Sequence, residues 1–289
     1  MAFKLVGVAG AGIMGRGIAQ VTAMAGYEVM LYDVFDAALA GALKIIEKDL
    51  SKGVEKGKTT PAAKELALKN ITATSKLEDL AGADLVIEAA PEDLAVKLPL
   101  FEKLDRLCPP ETILASNTTS QSITEIASVT GRTDKVIGLH FFNPVHLMRL
   151  VEMVKGLETS GATYDACQNF CRSIGKETVK IKEAPGFVTS RLNAVIGNEA
   201  FNMLLEGVGS PEDIDKAVKL GLNHPMGPFE MIDLVGLDTR LKSLEYLQKM
   251  LGEKYRPCPL HVQYVKAGRL GRKTGKGVYE YNGDGTRKK

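Results

Sequence analysis

Two groups of residues in this 289-residue sequence could do chemistry. The first is Gly10-Ala11-Gly12-Ile13-Met14-Gly15, which follows an apolar run; Asp33 comes about 20 residues after the glycines, the separation expected of a ribose-binding acid. Gly10 permits a tight turn, Gly12 leaves the backbone open to a pyrophosphate, and Gly15 lets the next helix approach closely. The amides and positive dipole end of that helix would then face the phosphates, and the Asp33 carboxylate would accept from the adenosine ribose hydroxyls. Such a glycine triplet is a weak signal alone, but here the flanking strand, helix and second strand support it, making Gly10, Gly12, Ile13, Met14, Gly15 and Asp33 dinucleotide contacts. The second group is His140, at the end of the run Lys135–Leu139, with Glu152 in the next apolar element. Imidazole can give and take a proton near neutral pH, and a carboxylate can orient it. By spacing alone a structural histidine fits as well. The six-residue gaps between His140, His146 and Glu152 match no common zinc pattern, so no metal is expected.

Two further stretches stand out. Lys44, Lys48 and Lys52 lie on one helical stripe, with Lys56 and Lys58 in the turn beyond. Spacing favours a solvated face paired with Glu47 and Glu55 over a handle for a phosphate-rich substrate. Ser116-Asn117-Thr118-Thr119-Ser120 is a polar loop placed where an open parallel sheet collects ligands.

These groups must be positioned by alternating strands and helices. Strands are expected at Phe3–Ala9, Tyr27–Tyr32, Asn70–Thr74, Ala83–Glu88, Thr112–Ala115, Lys135–Leu139, Leu150–Val154 and Thr178–Ile181. Helices are expected after Gly12, through Leu39, Leu43, Ile46 and Leu50, from Ala62 to Lys69, after Ser122 with Glu125 as a capping box, and from Thr163 to Ile174. The second and third of these form a helical hairpin inserted in the sheet fold. Beyond Pro185 strand signals stop. Leu192, Val195, Ile196, Met203 and Leu204 share one helical face, Ser210-Pro211 starts a helix that Gly221 ends, and Gly227-Pro228 opens another that a break at Gly236 can divide, with Ile232, Val235, Leu241, Leu244 and Leu251 as core contacts. The expected fold is therefore α/β, a Rossmann-type mostly parallel sheet over residues 1–184, followed by an all-helical domain over 185–289.

Composition bounds the partners. Thirty-seven basic against thirty-five acidic side chains leave a net charge of +2, which argues against nucleic acid and anionic membranes. No run reaches membrane-spanning length, and the first residues leave no room for a leader before the nucleotide strand. Four cysteines without a C-x-x-C read as reduced thiols, so a cytoplasmic protein is expected.

At this point the sequence resembles the short-chain L-3-hydroxyacyl-CoA dehydrogenases, in particular the bacterial 3-hydroxybutyryl-CoA dehydrogenases, from end to end. The resemblance is carried by Gly10–Gly15, Val86-Ile-Glu-Ala-Ala90, Ser116-Asn-Thr118, Gly138-Leu-His-Phe-Phe-Asn-Pro144, Pro185-Gly-Phe187, His224-Pro-Met-Gly-Pro228 and Gly271-Arg-Lys-Thr-Gly-Lys-Gly277. It implies reversible hydride transfer between NAD and C3 of a 3-hydroxyacyl-CoA, with His140 as acid/base and Glu152 orienting it. It further implies cofactor contacts at Glu92, Lys97, Asn117, Asn143 and Lys273, and CoA or acyl contacts at Ser51, Lys52, Lys58, Asn117, Thr119 and Ser190. It also implies a homodimer formed through the helical domain, and Asp33, with no compensating arginine at Val34 or Phe35, favours NADH over NADPH because a carboxylate repels a 2′-phosphate.

Two positions depart from the family pattern. Its catalytic serine is Thr119 here, which keeps the hydroxyl but is stiffer at its first torsion. Its substrate-binding asparagine is Ser190, which loses reach and one donor hydrogen. These departures predict a slowed enzyme in which Ser190→Asn raises turnover. A 3-hydroxyisobutyrate or 6-phosphogluconate type of dehydrogenase is disfavoured, since the interdomain helix offers Arg191 but no lysine from Phe187 to Glu206. A relative that binds NAD without turnover is the alternative of a different class.

Overall fold

The structure, a computed structural model, describes residues 3–288. The chain forms two compact units that meet at Ala184 and Pro185. The first is built on eight strands, β1 (Leu5–Ala9), β2 (Glu28–Tyr32), β3 (Ile71–Thr74), β4 (Leu85–Glu88), β5 (Ile113–Ser116), β6 (Val136–Phe141), β7 (Leu150–Lys155) and β8 (Glu177–Lys182). They lie in the order β3-β2-β1-β4-β5-β6-β7-β8. Neighbouring strands are parallel except for β6 with β7. The order reverses between β1 and β4, so the loops after these two strands diverge and open a crevice at their carboxyl ends.

Helix α1 (Ile13–Met24) follows β1, and α2 (Asp36–Glu55) and α3 (Pro61–Lys69) lie between β2 and β3. The expected hairpin of α2 and α3 is integrated into the core rather than hung from it. Leu39, Ala42, Ile46 and Leu50 of α2 and Ala67 of α3 join one buried cluster with Val6, Val8 and Leu31 of the sheet. Helix α4 (Leu94–Leu107) has no counterpart in the sequence reading. Pro99 stands inside it and Lys97 lies on its buried face beside Phe101 and Leu104, which breaks the apolar period that would have announced it. Helix α5 (Ile123–Ser128) is capped by the Ser122 hydroxyl, which accepts from the Glu125 amide at 3.0 Å. The return half of the expected box comes from elsewhere: Glu183, remote in sequence, accepts from the Ser122 hydroxyl and from the Thr124 amide and hydroxyl. Helix α6 (Gly161–Ser173) covers the far end of the sheet.

The second unit holds α7 (Thr189–Glu206), α8 (Pro211–Gly221), α9 (Pro228–Val235), α10 (Leu237–Leu251) and α11 (Pro259–Lys266). It is not purely helical, because isolated bridges Gly271–Lys276, Lys276–Glu280 and Tyr281–Arg287 order its tail. Asp233 on α9 holds that tail, accepting from the amides of Val278 and Tyr279 and from the Tyr281 hydroxyl at 2.8–2.9 Å. The buried face of α7 also differs from the expected one. Ala194, Gly197, Asn198 and Phe201 face inward, while Leu192 and Val195 are exposed. A Cβ at Gly197 would sit 2.6 Å from Ile232, so α7 needs small residues to let α9 approach. Val235 is likewise exposed, whereas Ile232 and Leu244 are buried. Among the described residues no helix is long and apolar enough to cross a membrane.

Candidate active site

The phosphate-binding turn follows from what its glycines exclude. Gly10 has φ +116°, and a Cβ there would meet the Ala89 carbonyl oxygen at 2.6 Å. A Cβ on Gly15 would lie 1.7 Å from the Gly10 oxygen, so neither position admits a side chain. Gly12 is different, with nothing within 4 Å of its Cβ position, and its missing side chain leaves the start of α1 open. No side chain caps α1 and no acid stands in its first turn, leaving its amides and dipole unopposed for a phosphate. At the end of β2, Asp33 accepts from the Ala11 amide at 2.8 Å and the Phe35 amide at 3.0 Å, which ties the carboxylate to the glycine turn. Gly10, Gly12, Ile13, Met14, Asp33, Val34 and Phe35 line part of one cavity of about 780 Å³. This donor set and shape fit a dinucleotide: open amides for the pyrophosphate, a carboxylate for the ribose, and exposed apolar Val34 and Phe35 beside it. Lys103 of α4 also lines the cavity, the one basic side chain on its described wall, and with α4 unread it was not foreseen.

His140 and Glu152 are direct partners across the antiparallel β6–β7 pair. His140 Nδ1 lies 2.7 Å from Glu152 Oε2, the histidine 6% exposed and the glutamate fully buried. Antiparallel register alone aims the two side chains to one face of the sheet, which is why residues twelve apart in sequence meet. Phe142 packs on the imidazole with ring centres 4.5 Å apart. Asn143 follows on an exposed loop. That loop is braced from below, since the buried Lys176 ammonium donates to the carbonyls of Val145 and Met148. Gly17 gives it room, because a Cβ there would lie 2.8 Å from Val145.

Two carboxylates from the β4 end hold the polar loop after β5. Glu88, fully buried, accepts from the Ser116 hydroxyl at 2.6 Å, the Ala90 amide at 2.7 Å and Lys97 Nζ at 2.6 Å. Glu92 accepts from the Thr118 hydroxyl at 2.6 Å and the Thr119 and Ser120 amides at 2.8 and 3.1 Å, and stands 3.4 Å from Lys97 Nζ. Lys97 is 1% exposed, so its ammonium is committed to this pair of acids. Asn117 completes the link to the histidine strand, its Oδ1 accepting from the Phe141 amide at 2.9 Å. The loop thus brings Asn117 into one hydrogen-bonded frame with β6, while Thr119 is left exposed at its tip. Sequence reasoning missed Glu88; its position at the end of a buried strand in a parallel sheet was the available signal.

The remaining expected residues belong to other elements. Ser51 is in the last turns of α2, its hydroxyl donating to the Glu47 carbonyl at 2.8 Å. Lys52 and Lys58 are exposed. Among the described residues neither they nor Lys44, Lys48 or Lys56 make an ion pair, so the anticipated pairing with Glu47 and Glu55 is absent. In the second unit, Ser190 lies in the first turn of α7, and Lys273 is in the tail, paired with Asp238 at 2.6 Å.

A reversal-point crevice fitted for a dinucleotide, on the same sheet as a histidine held by a buried carboxylate, defines a dinucleotide-dependent oxidoreductase. Comparison with known proteins gives the particular kind. Residues 5–184 match the model of the 3-hydroxyacyl-CoA dehydrogenase NAD-binding domain and residues 186–281 that of its C-terminal domain. The chain is 49% identical over 282 residues to a probable 3-hydroxybutyryl-CoA dehydrogenase of Bacillus subtilis, covering 97% of this chain and 98% of that one. It is 43% identical to the mitochondrial hydroxyacyl-coenzyme A dehydrogenase of Rattus norvegicus, over 96% and 91% of the two chains. The crystal structure of (S)-3-hydroxybutyryl-CoA dehydrogenase from Ralstonia eutropha superposes with a TM-score of 0.95 at 44% identity, over 97% and 100%. The chain belongs to the 3-hydroxyacyl-CoA dehydrogenase family, and it is an NAD-dependent oxidoreductase.

Proposed function

We propose that the protein interconverts 3-hydroxyacyl-CoA and 3-ketoacyl-CoA, with 3-hydroxybutyryl-CoA and acetoacetyl-CoA as its pair, and that His140 is the acid/base. The observation that carries the roles is the buried His140–Glu152 contact of 2.7 Å. NAD, when bound, accepts a hydride from C3 in oxidation and returns it in reduction. Gly10, Gly12, Ile13, Met14, Gly15 and Asp33 would hold it, with Asn143 and Lys273 as further contacts. Because Nδ1 donates to Glu152, the neutral ring carries its lone pair on Nε2, and that atom takes the hydroxyl proton; Glu152 then faces the resulting imidazolium. In reduction the same nitrogen gives the proton back. The Thr119 hydroxyl donates to the substrate oxygen, Ser190 contacts the acyl group, and Asn117, Glu92 and Lys97 act through the loop they hold. Ser51, Lys52 and Lys58 bind the CoA moiety, a reading supported by lysines that have no internal partner.

The protein acts as a cytoplasmic homodimer assembled through the helical unit. Support for the dimer comes from apolar side chains that unit leaves exposed, among them Leu192, Val208, Leu220 and Leu222, of which Val208 and Leu222 line one groove; contiguous exposed apolar surface is what interaction sites use.

Consumption of NADH with acetoacetyl-CoA tests the activity, and His140→Gln tests the role. Loss of a general acid/base should cost about 10²–10⁴ in turnover with NADH binding kept. A variant retaining more than a tenth of the rate would remove His140 from the mechanism.

A further inference from the structure

Arg240 is a buried cation that the helical unit does not neutralise. It is 6% exposed, its Nε has no hydrogen-bond partner, and one terminal nitrogen makes only a long 3.5 Å contact with the Ser190 carbonyl. Among the described residues no carboxylate pairs with it. Asp238, two residues away, is committed to Lys273 through both oxygens, at 2.6 and 2.7 Å. Burial pulls the guanidinium down to about 10, and no neighbouring acid opposes that shift.

Its place in the fold adds to the imbalance. Arg240 is the fourth residue of α10 and reaches the first turn of α7, so it stands at the N-terminal ends of two helices, where the dipoles disfavour a positive charge. Neither helix start is capped by a side chain, and α7 has no acid in its first turn. His261, fully buried nearby, offers no anion either, since its Nε2 contacts the Leu237 carbonyl at 3.0 Å. The Arg240 donors thus lie at the uncapped start of α7 with no acid there, and Asp238, the one acid in the first turn of α10, is taken up by Lys273. An oxygen that carries or develops negative charge would complete the group.

We propose that Arg240 and the first turn of α7 form a donor site for a carbonyl or alkoxide oxygen of the acyl-CoA substrate, with Arg240 supplying the hydrogen bond that serine at position 190 is too short to make. This rests on the proposed function, in which Ser190 contacts the acyl group. The planar guanidinium presents several fixed N–H donors and extends further than serine, so it can replace a side-chain amide that the backbone at 190 no longer provides. It also amends the expectation for Ser190→Asn: an added amide gains less where arginine already donates.

The test uses the full chain with NADH and acetoacetyl-CoA. Arg240→Met removes the charge at similar volume, and because the cation has no internal partner its melting temperature should equal or exceed that of the wild type. NADH affinity, read by fluorescence, should hold within about twofold, while kcat/KM for acetoacetyl-CoA falls on the order of 10²-fold, the size of a lost oxyanion donor. Arg240→Lys should lie between. In the Arg240→Met background, Ser190→Asn should restore activity by a larger factor than it gives in the wild-type background. A fall of less than about tenfold would overturn the assignment. So would an Arg240→Met protein that melts lower or fails to fold, since the residue would then be structural, and so would equal Ser190→Asn factors in both backgrounds. Failure of the proposed function is a separate result, wild-type protein that leaves NADH unconsumed. Arg240 is then judged by binding alone: acetoacetyl-CoA should raise the wild-type melting temperature and not that of Arg240→Met, and equal shifts, or none, would overturn the site.

Discussion

Lys97→Met should unbalance the frame beneath the polar loop more than any other single change there. It leaves the fully buried Glu88 carboxylate with the Ser116 hydroxyl and Ala90 amide but no cation. Breaking a buried pair by removing one partner costs about 3–5 kcal/mol, which for a unit of this size is a fall of roughly 6–20 °C in its melting transition. Glu88→Gln should cost less. The lysine keeps Glu92 at 3.4 Å and the Ala90 carbonyl at 3.5 Å, and the new amide oxygen can still accept from it. The double variant has no buried charge left at that position, so its cost should fall short of the sum of the singles by about 0.5–3 kcal/mol. Urea unfolding followed by a probe confined to the first unit gives the three numbers. Activity provides the functional arm: the loop carries Asn117 and Thr119, so turnover should fall in the order of stability loss while NADH affinity moves less. Additive single effects, with a coupling under about 0.5 kcal/mol, would show that Glu88 and Lys97 do not act as a unit.

Three other perturbations probe separate links. Asp33 should make NADH the better substrate by at least about tenfold over NADPH, because a carboxylate held by the Ala11 and Phe35 amides repels a 2′-phosphate; equal specificity constants would mean that Lys103, on the same cavity wall, has taken over. Lys58→Met should raise KM for acetoacetyl-CoA and flatten its dependence on salt, since screening acts on an exposed charge contact, and an unchanged KM at low and high salt would return that lysine to solvent. His261 should make the helical unit lose stability in mild acid. Burial holds its ring below the ordinary value of 6.5, with Arg240 adding to the shift and the hydrogen bond to Leu237 opposing it. The unfolded chain therefore binds the proton first, and stability drops as pH falls below about 6.5. Melting curves of wild type and His261→Gln between about pH 7.5 and 5.5 should diverge toward acid, and parallel slopes would refute the account.

The parts of this fold that were readable from the sequence are those where one residue type is required by sterics or period. The β1–α1–β2 unit was legible because Gly10 and Gly15 admit no Cβ and because β2 and α2 bury single clean faces. The unread α4 is the reverse case, its inward face carrying Lys97, a residue that local pattern assigns to solvent. What makes it inward is Glu88 on β4, only nine residues away, and a pairing between a strand end and a helix follows neither the helical nor the strand period, so local pattern does not announce it. The α7 face misled for the complementary reason. Its inward face includes Gly197, kept small so that α9 can approach, while the apolar Leu192 and Val195 point outward, where the composition of one helix cannot tell core from interface.

The site divides along the same line. His140 with Glu152 could be proposed from types and order, but only the antiparallel β6–β7 register makes them meet. Had that pair been parallel like its neighbours, the connection would have needed a crossover rather than the short link present here. The loop of Asn117 and Thr119 looked like a ligand edge because it is rich in donors. The structure shows how many of those donors are already spent: Ser116 on Glu88, and Thr118 with the amides of Thr119 and Ser120 on Glu92. A polar loop at a sheet edge is therefore a poor guide to which of its members meets a ligand until the buried acids beneath it are known. Arg240 illustrates the limit from the other side. In sequence it is an ordinary arginine at a helix start, and only burial without a counter-charge sets it apart. Residues that bind through a deficit of partners are found by accounting for each buried charge in three dimensions, whereas residues that bind through a motif can be found by spacing.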